Sequence, residues 1–310
     1  MEDDIAILDA HHHFWNLDEN YYPWLSNEIS ESFFLGDYSL IRKNYLVNDY
    51  KKDAVNHNII GTIHCEAEWD RNNQFKETEW LSKLSSNEHL PSCIVAHAWL
   101  DKKNSEEIIA KQASSPLVKG IRSKPNIRSQ PNSEEILNKG SMQDLNWLKG
   151  LKLLEKYNLN YDLRIPCWHL LEAVDVIRLI PNTKVIINHA GFPWDRSEDG
   201  MRLWREGVNQ ISKEPNTYIK LSEFGVKNKI WNYEQNRQII LELIDLFGPK
   251  RCMFASNFPV SRIKITFDDL FTNFKKIVKD FTSEEKKCLF SETAIKTYNI
   301  NKSLLNINSN

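Results

Sequence analysis

Cysteine is scarce and poorly placed for a structural role. The 310-residue chain has five, Cys65, Cys93, Cys167, Cys252 and Cys288. An odd number at wide spacing, without a Cys-x-x-Cys pair, excludes a disulfide framework or a thiolate zinc site, and four of the five lie in or beside apolar runs and read as core. No apolar run approaches the length that spans a bilayer, and the opening "MEDDI" is acidic where a secretory signal is basic. A cytoplasmic protein with no membrane partner is expected. Charge excess is also missing, since 40 Lys and Arg stand against 42 Asp and Glu for a net charge of -2. Without a basic run or a general positive field, nucleic acid is excluded as a partner. No Pro/Gly/Ser-rich linker, internal repeat or low-complexity tract divides the chain.

What is present suits a large core: 41% of residues are hydrophobic and 11% aromatic. Eight β-branched or apolar runs read as strands, "IAIL", "IIGTIHC", "CIVAHAWL", "LVKGIR", "LNYDLRI", "KVIINHA", "TYIKLS" and "RCMFAS". Segments of helical period such as "NSEEIIAKQA", "HLLEAVDVIRLI" and "NRQIILELIDLFG" separate most of them. Strand and helix alternating to the end predict one (β/α)8 barrel domain over residues 1–310, with the segments 16–50 and 123–140 forming a lid over its C-terminal mouth.

The first strand ends in "LDAHHHFW". With side chains of period two, Asp9, His11 and His13 share one face and His12 the other. His12 is expected to pack in the core, and Asp9 to orient an imidazole. Two imidazoles side by side suit a divalent ion such as zinc. The remaining strand ends carry Glu66 and Glu68, His97, Arg122, Asp162 and Arg164, His189, Ser222 and Glu223, and Asn257. Crowding so many polar groups on one rim is costly unless they bind or catalyse. Glu66 is read as a base, a ligand or one half of a buried ion pair, and Asp162 as a structural or a catalytic acid. Arg122 and Arg128 suggest an acidic substrate, because guanidinium groups grip carboxylates in bidentate fashion. Trp15, Tyr22, Trp24 and Phe258 are candidate walls of an apolar pocket. His64 and His97 read as structural, and His57, His89 and His169 as surface groups.

Together, "DAHHHFW" with "YYPWL", "VKGIR", "VIINHAGFPWD", "YIKLSEFG", "RCMFASNFPVS" and "FSETAIKTYNI" resemble the amidohydrolase-related proteins, in particular the lactonase-like hydrolases. The resemblance runs nearly end to end. It implies a distorted (β/α)8 barrel, hydrolysis of a lactone or ester, and a site at the strand ends that holds a divalent metal in some members and none in others. His11 and His13 match the strand-one histidines and His189 the strand-six histidine, so all three are the expected catalytic groups and metal ligands. Asn257 falls where the family usually has an aspartate that deprotonates the attacking water. An amide cannot take up that proton near neutral pH. The expected activity is hydrolysis of a small acidic lactone by a chain that is a monomer or a homo-oligomer. Its alternatives are metal-dependent decarboxylation and small-acid binding without catalysis.

Overall fold

Strands buried on both faces read as continuous apolar runs, and parallel strands need crossover helices to cover them. The computed structural model, which describes residues 5–306, builds both. Its strands are β1 (Ile7–His12), β2 (Ile59–Cys65), β3 (Cys93–Ala96), β4 (Val118–Ile121), β5 (Asn160–Leu163), β6 (Val185–Ile187), β7 (Thr217–Leu221) and β8 (Cys252–Phe254). All pair in parallel and in chain order. Beyond β8 the chain returns to β1, where Asn257 N–H donates to the His11 carbonyl at 2.7 Å and His13 N–H to that of Phe258 at 2.8 Å. The result is the (β/α)8 barrel, and each of the eight expected runs supplies one strand.

Between the strands, helices cover the sheet as their period requires. In Glu198–Ser212 the Ser197 hydroxyl caps the Gly200 amide, and Trp204, Val208 and Ile211 turn one apolar stripe to the barrel. The barrel interior holds Leu8, Ala10, Ile63, Cys65, Cys93, Val95, Ile186, Met253 and Ala255, joined by Tyr298 from the C-terminal segment. All five cysteines are free and buried. Among the described residues no helix is long and apolar enough to cross a membrane. Asp162 is structural in its contacts: Lys220 Nζ meets it at 2.7 Å, and Tyr298 and Asn188 donate to it.

Strict alternation fails in β1, with consequences for the site. Asp9 pairs with Thr62 and His12 with His64, three steps on β1 against two on β2. That extra residue is a bulge, and a one-residue slip exchanges the faces of the residues beyond it. Leu8 and Ala10 point into the barrel, so unbroken alternation would send His12 there next. Instead His12 turns outward against Phe14, Tyr50 and His64, with ring centroids 4.3, 5.1 and 5.6 Å away. His11 and His13 take the inner face. Asp9 departs from expectation: it orients no imidazole, and accepts instead from Tyr50 Oη at 2.9 Å and from the Ser256 amide and hydroxyl at 2.8 and 2.6 Å. Its work is to tie β1 to the segment that carries Asn257.

Candidate active site

At the C-terminal mouth the His11 ring lies 4.5 Å from that of His189 and 5.0 Å from that of His13, centroid to centroid. The strand-one and strand-six histidines therefore converge, as expected. Burial holds all three rings well below the ordinary imidazole range, helped by their mutual repulsion and by Arg122 and Lys220. They are neutral at pH 7, so each ring keeps one nitrogen lone pair. The His13 Nδ1–H donates to the Cys65 carbonyl at 2.8 Å, which leaves Nε2 bare. His189 Nδ1 pairs with Ser222 Oγ at 3.0 Å, and the residue lines the cavity. His11 Nε2 faces a donor, Arg122 Nη1, at 3.4 Å.

Several residues around these rings have backbones in the left-handed region, at Glu68, His189, Ala190, Phe192, Glu223 and Asn257. All six follow strand ends. Such conformations cost free energy outside glycine, and their concentration here marks a rim shaped for its side chains rather than for stability.

Asn257 Nδ2 donates to Glu223 Oε2, which also accepts from Ser261 Oγ at 3.1 Å. That contact orients the amide, so Asn257 Oδ1 faces the bare His13 Nε2 at 3.2 Å. Two acceptors pointed at one another need a cation or proton between them. Burial raises the Glu223 carboxyl, against the hydrogen bonds from Asn257 and Ser261. Asn257→Asp would set a second buried carboxylate against this one. The variant is expected to lose about 1–3 kcal/mol of stability at pH 7. Because the shared pair has a raised pKa, the loss should shrink as pH falls toward 5. Urea unfolding at the two pH values measures this, and a variant as stable as the parent at both would contradict it.

Glu66 is the buried ion pair rather than a free base. Arg122 Nε reaches Glu66 Oε1 at 2.8 Å, Arg122 Nη2 reaches its carbonyl, and Arg71 meets Oε2 at 2.8 Å. Burial alone would raise this carboxyl, but Arg71 and Arg122 outweigh it and hold it well below the carboxylate range. Arg122 spends its donors on Glu66 and His11, so it organises the site more than it grips a substrate. Arg128 lies off the cavity beside Glu172, at 3.5 Å, and its amide donates to His169. His169 is therefore a buried, bonded group and not a surface one.

A cavity of about 390 Å³ opens over the imidazoles, lined by His13, His189, Asn257, Arg122, Lys124, Arg164 and Glu68, with Trp24, Phe33, Phe34, Tyr38 and Trp194 as its aromatic wall. Of the expected walls only Trp24 belongs to it. Trp15 donates to the Lys43 carbonyl, Tyr22 packs on Trp69 and Phe258 on Phe267, because the lid segment builds its own core beneath the surface it shows the cavity. Sequence reasoning missed Phe33, Phe34, Lys124 and Trp194 as site residues, and left Arg164 and Glu223 as strand-end groups without a role. Strand-end position was the signal available for the last two.

The barrel, the paired histidines at its mouth and the strand-six histidine define an amidohydrolase, and the chain belongs to that family: its family model, described as amidohydrolase, matches residues 8–300. Among individual relatives, an uncharacterised protein y4mH of Sinorhizobium fredii is 34% identical over 298 residues, covering 96% of this chain and 99% of that one. An L-fucono-1,5-lactonase of Burkholderia multivorans is 22% identical over 309 residues, covering 94% and 95%. A solved amidohydrolase of Burkholderia multivorans with bound zinc superposes with a TM-score of 0.80 at 19% identity, covering 96% of this chain and 100% of that one.

A divalent ion fits part of the donor set. His13 Nε2 and Asn257 Oδ1, two bare acceptors 3.2 Å apart, are spaced as two ligands of one ion are. His189 lines the same cavity, whereas the Arg122 guanidinium on His11 Nε2 opposes a cation there. His11 thus departs from the expected ligand set. Among the described residues the three imidazoles do not bring their ligand atoms within 4.8 Å of one another; Glu284, Cys288 and Glu292 do, on a C-terminal helix away from the mouth.

Proposed function

We propose that the protein hydrolyses a small lactone or ester by attack of water on its carbonyl. The observation that carries this reading is the meeting of neutral imidazoles, with bare nitrogens, and guanidinium groups around one small cavity. Neutral rings accept protons, and cations stabilise the oxyanion that develops in a water-poor mouth. His189 Nε2 takes the proton of the attacking water in the tautomer whose Nδ1–H donates to Ser222 Oγ. After the carbonyl carbon has gained the water oxygen and the ring C–O bond breaks, the same nitrogen returns its proton to the leaving alkoxide. For a lactone the products are a carboxylate and an alcohol within one molecule, with one proton released to solvent. A divalent ion, held by His13 and Asn257 and zinc by donor type, would polarise the carbonyl and acidify bound water. The likeness to an L-fucono-1,5-lactonase supports the lactone class.

The test is a panel of sugar-acid and carboxylated lactones followed by proton release. Wild type should turn over at least one, and His189→Asn should lose about 10²- to 10⁴-fold in kcat, the usual worth of a positioned base. A wild type inert on the whole panel, or a His189→Asn variant at full rate, would reject the reading.

A further inference from the structure

Three cations line the cavity, and two of them have anions of their own. Arg122 pairs with Glu66, and Lys124 with Glu68. Arg164 differs. Among the described residues its guanidinium has no carboxylate partner and no hydrogen bond, and its contacts are ring faces: its Cζ lies 5.0 Å from the Phe192 centroid and 5.8 Å from that of Phe34. Burial pushes the group down to about 10 and the charge of Arg122 adds to the effect, while Glu66 and Glu223 offset part of it through space without forming an ion pair with it. A half-buried guanidinium with no carboxylate at ion-pair distance is incompletely compensated. Stacking on aromatic rings fixes its plane and leaves its N–H edges to whatever enters the cavity.

The fold gives this isolation a cause. Arg164 directly follows β5, whose acid Asp162 is committed inside the barrel to Lys220, Tyr298 and Asn188. Glu66 is taken up by Arg71 and Arg122, and Glu223 by Asn257 and Ser261. Each nearby carboxylate is bonded elsewhere. We infer that the missing anion is the substrate's own carboxylate, that Arg164 is the specificity residue that binds it, and that the substrate is a lactone or ester bearing one free acid group on a small apolar frame. The frame lies against Phe33, Phe34 and Trp194, while the reacting carbonyl lies toward His13 and His189. This assignment rests on the hydrolase reading for its reaction but not for its binding step. It also moves the acid-binding role from Arg122 and Arg128 to Arg164.

The experiment uses two probes of nearly equal shape, the γ-lactone of 2-hydroxyglutarate, which carries a carboxylate, and its neutral carboxamide. Their affinities for wild type, Arg164→Gln and Arg164→Lys are measured by calorimetry, and turnover is followed alongside. Expected are a wild-type preference for the carboxylate, a loss of about 10- to 100-fold in its affinity in Arg164→Gln with the carboxamide unchanged, and partial recovery in Arg164→Lys, which keeps the charge but not the fork. If the lactone is hydrolysed, KM should rise while kcat changes little. Selective loss of carboxylate binding without turnover would uphold the Arg164 assignment and count against the hydrolase reading. A wild type that binds both probes alike, or an Arg164→Gln variant that loses both alike or neither, overturns the assignment even if hydrolysis is found.

Discussion

Lowering the pH from 7 to 5 should destabilise this protein steeply, and substitution of one histidine outside the active site should reduce the effect. Six rings, His11, His12, His13, His64, His97 and His189, are buried and held below the ordinary imidazole range, chiefly by loss of water; His64 and His97 are pushed down to about 3. A histidine with a depressed folded pKa contributes stability above its unfolded pKa near 6.5, and loses it as pH falls toward the folded value. Three carboxyls act in the opposite sense, because burial raises Asp9 to about 6, Glu77 to about 8 and Glu223 upward. Raised carboxyls gain stability as pH falls.

The buried rings outnumber the raised carboxyls, so unfolding takes up protons on balance below about 6.5 and stability falls with pH there. A domain with ordinary stability cannot bear that for long. Urea midpoints at pH 7.5, 6.5 and 5.5 should fall with increasing slope. His12→Phe is the control, since neither His12 ring nitrogen has a hydrogen-bond partner and its neighbours are Phe14, Tyr50 and His64. It should remove about one proton from the slope and leave the mouth intact. A flat profile in wild type would mean that the rings charge freely in the folded state.

Arg122→Ala should be the most damaging single truncation at the mouth. The side chain bonds the Glu66 carboxylate and carbonyl and approaches His11 Nε2. Removing it leaves Glu66 buried with only Arg71 and the Glu68 amide on its carboxylate, both at Oε2, and breaking such a pair from one side costs about 3–5 kcal/mol. The His11 ring loses its donor at the same time. Activity should therefore fall on acidic and neutral substrates alike. A kinetic comparison on a matched pair separates this outcome from a substrate clamp, which would spare the neutral one. Loss confined to the acidic substrate would give Arg122 the acid-binding role in place of Arg164.

Much of the architecture was legible because local pattern determines it. The eight runs read as strands all became strands, since parallel strands covered by helices need unbroken apolar stretches such as "IIGTIHC". The convergence of His11, His13 and His189 followed from topology, which brings the ends of β1 and β6 to the same mouth. Alternation along the strand does not by itself account for the way the histidines face. Period two, continued from Leu8 and Ala10, would have pointed His12 inward, and only the bulge between Asp9 and His12 turns His11 and His13 to the interior.

Partners could not be read in this way, because an ion pair or a wall joins residues far apart in the chain. Glu66 read equally as a base or a paired acid until Arg122, 56 positions away, closed on it. The aromatics Trp15, just before the lid, and Trp24, Phe33 and Phe34 within it look alike in sequence, and packing alone decides that Trp15 supports the lid while the others face the cavity. The sequence by itself determined the barrel, the order of its strands and the chemical types crowded at their ends, all consequences of periodicity and chain direction. Tertiary structure decided which charges neutralise one another and which stay free: Arg164 carries the same charge as Arg122, and only the three-dimensional placement of acids leaves it without one.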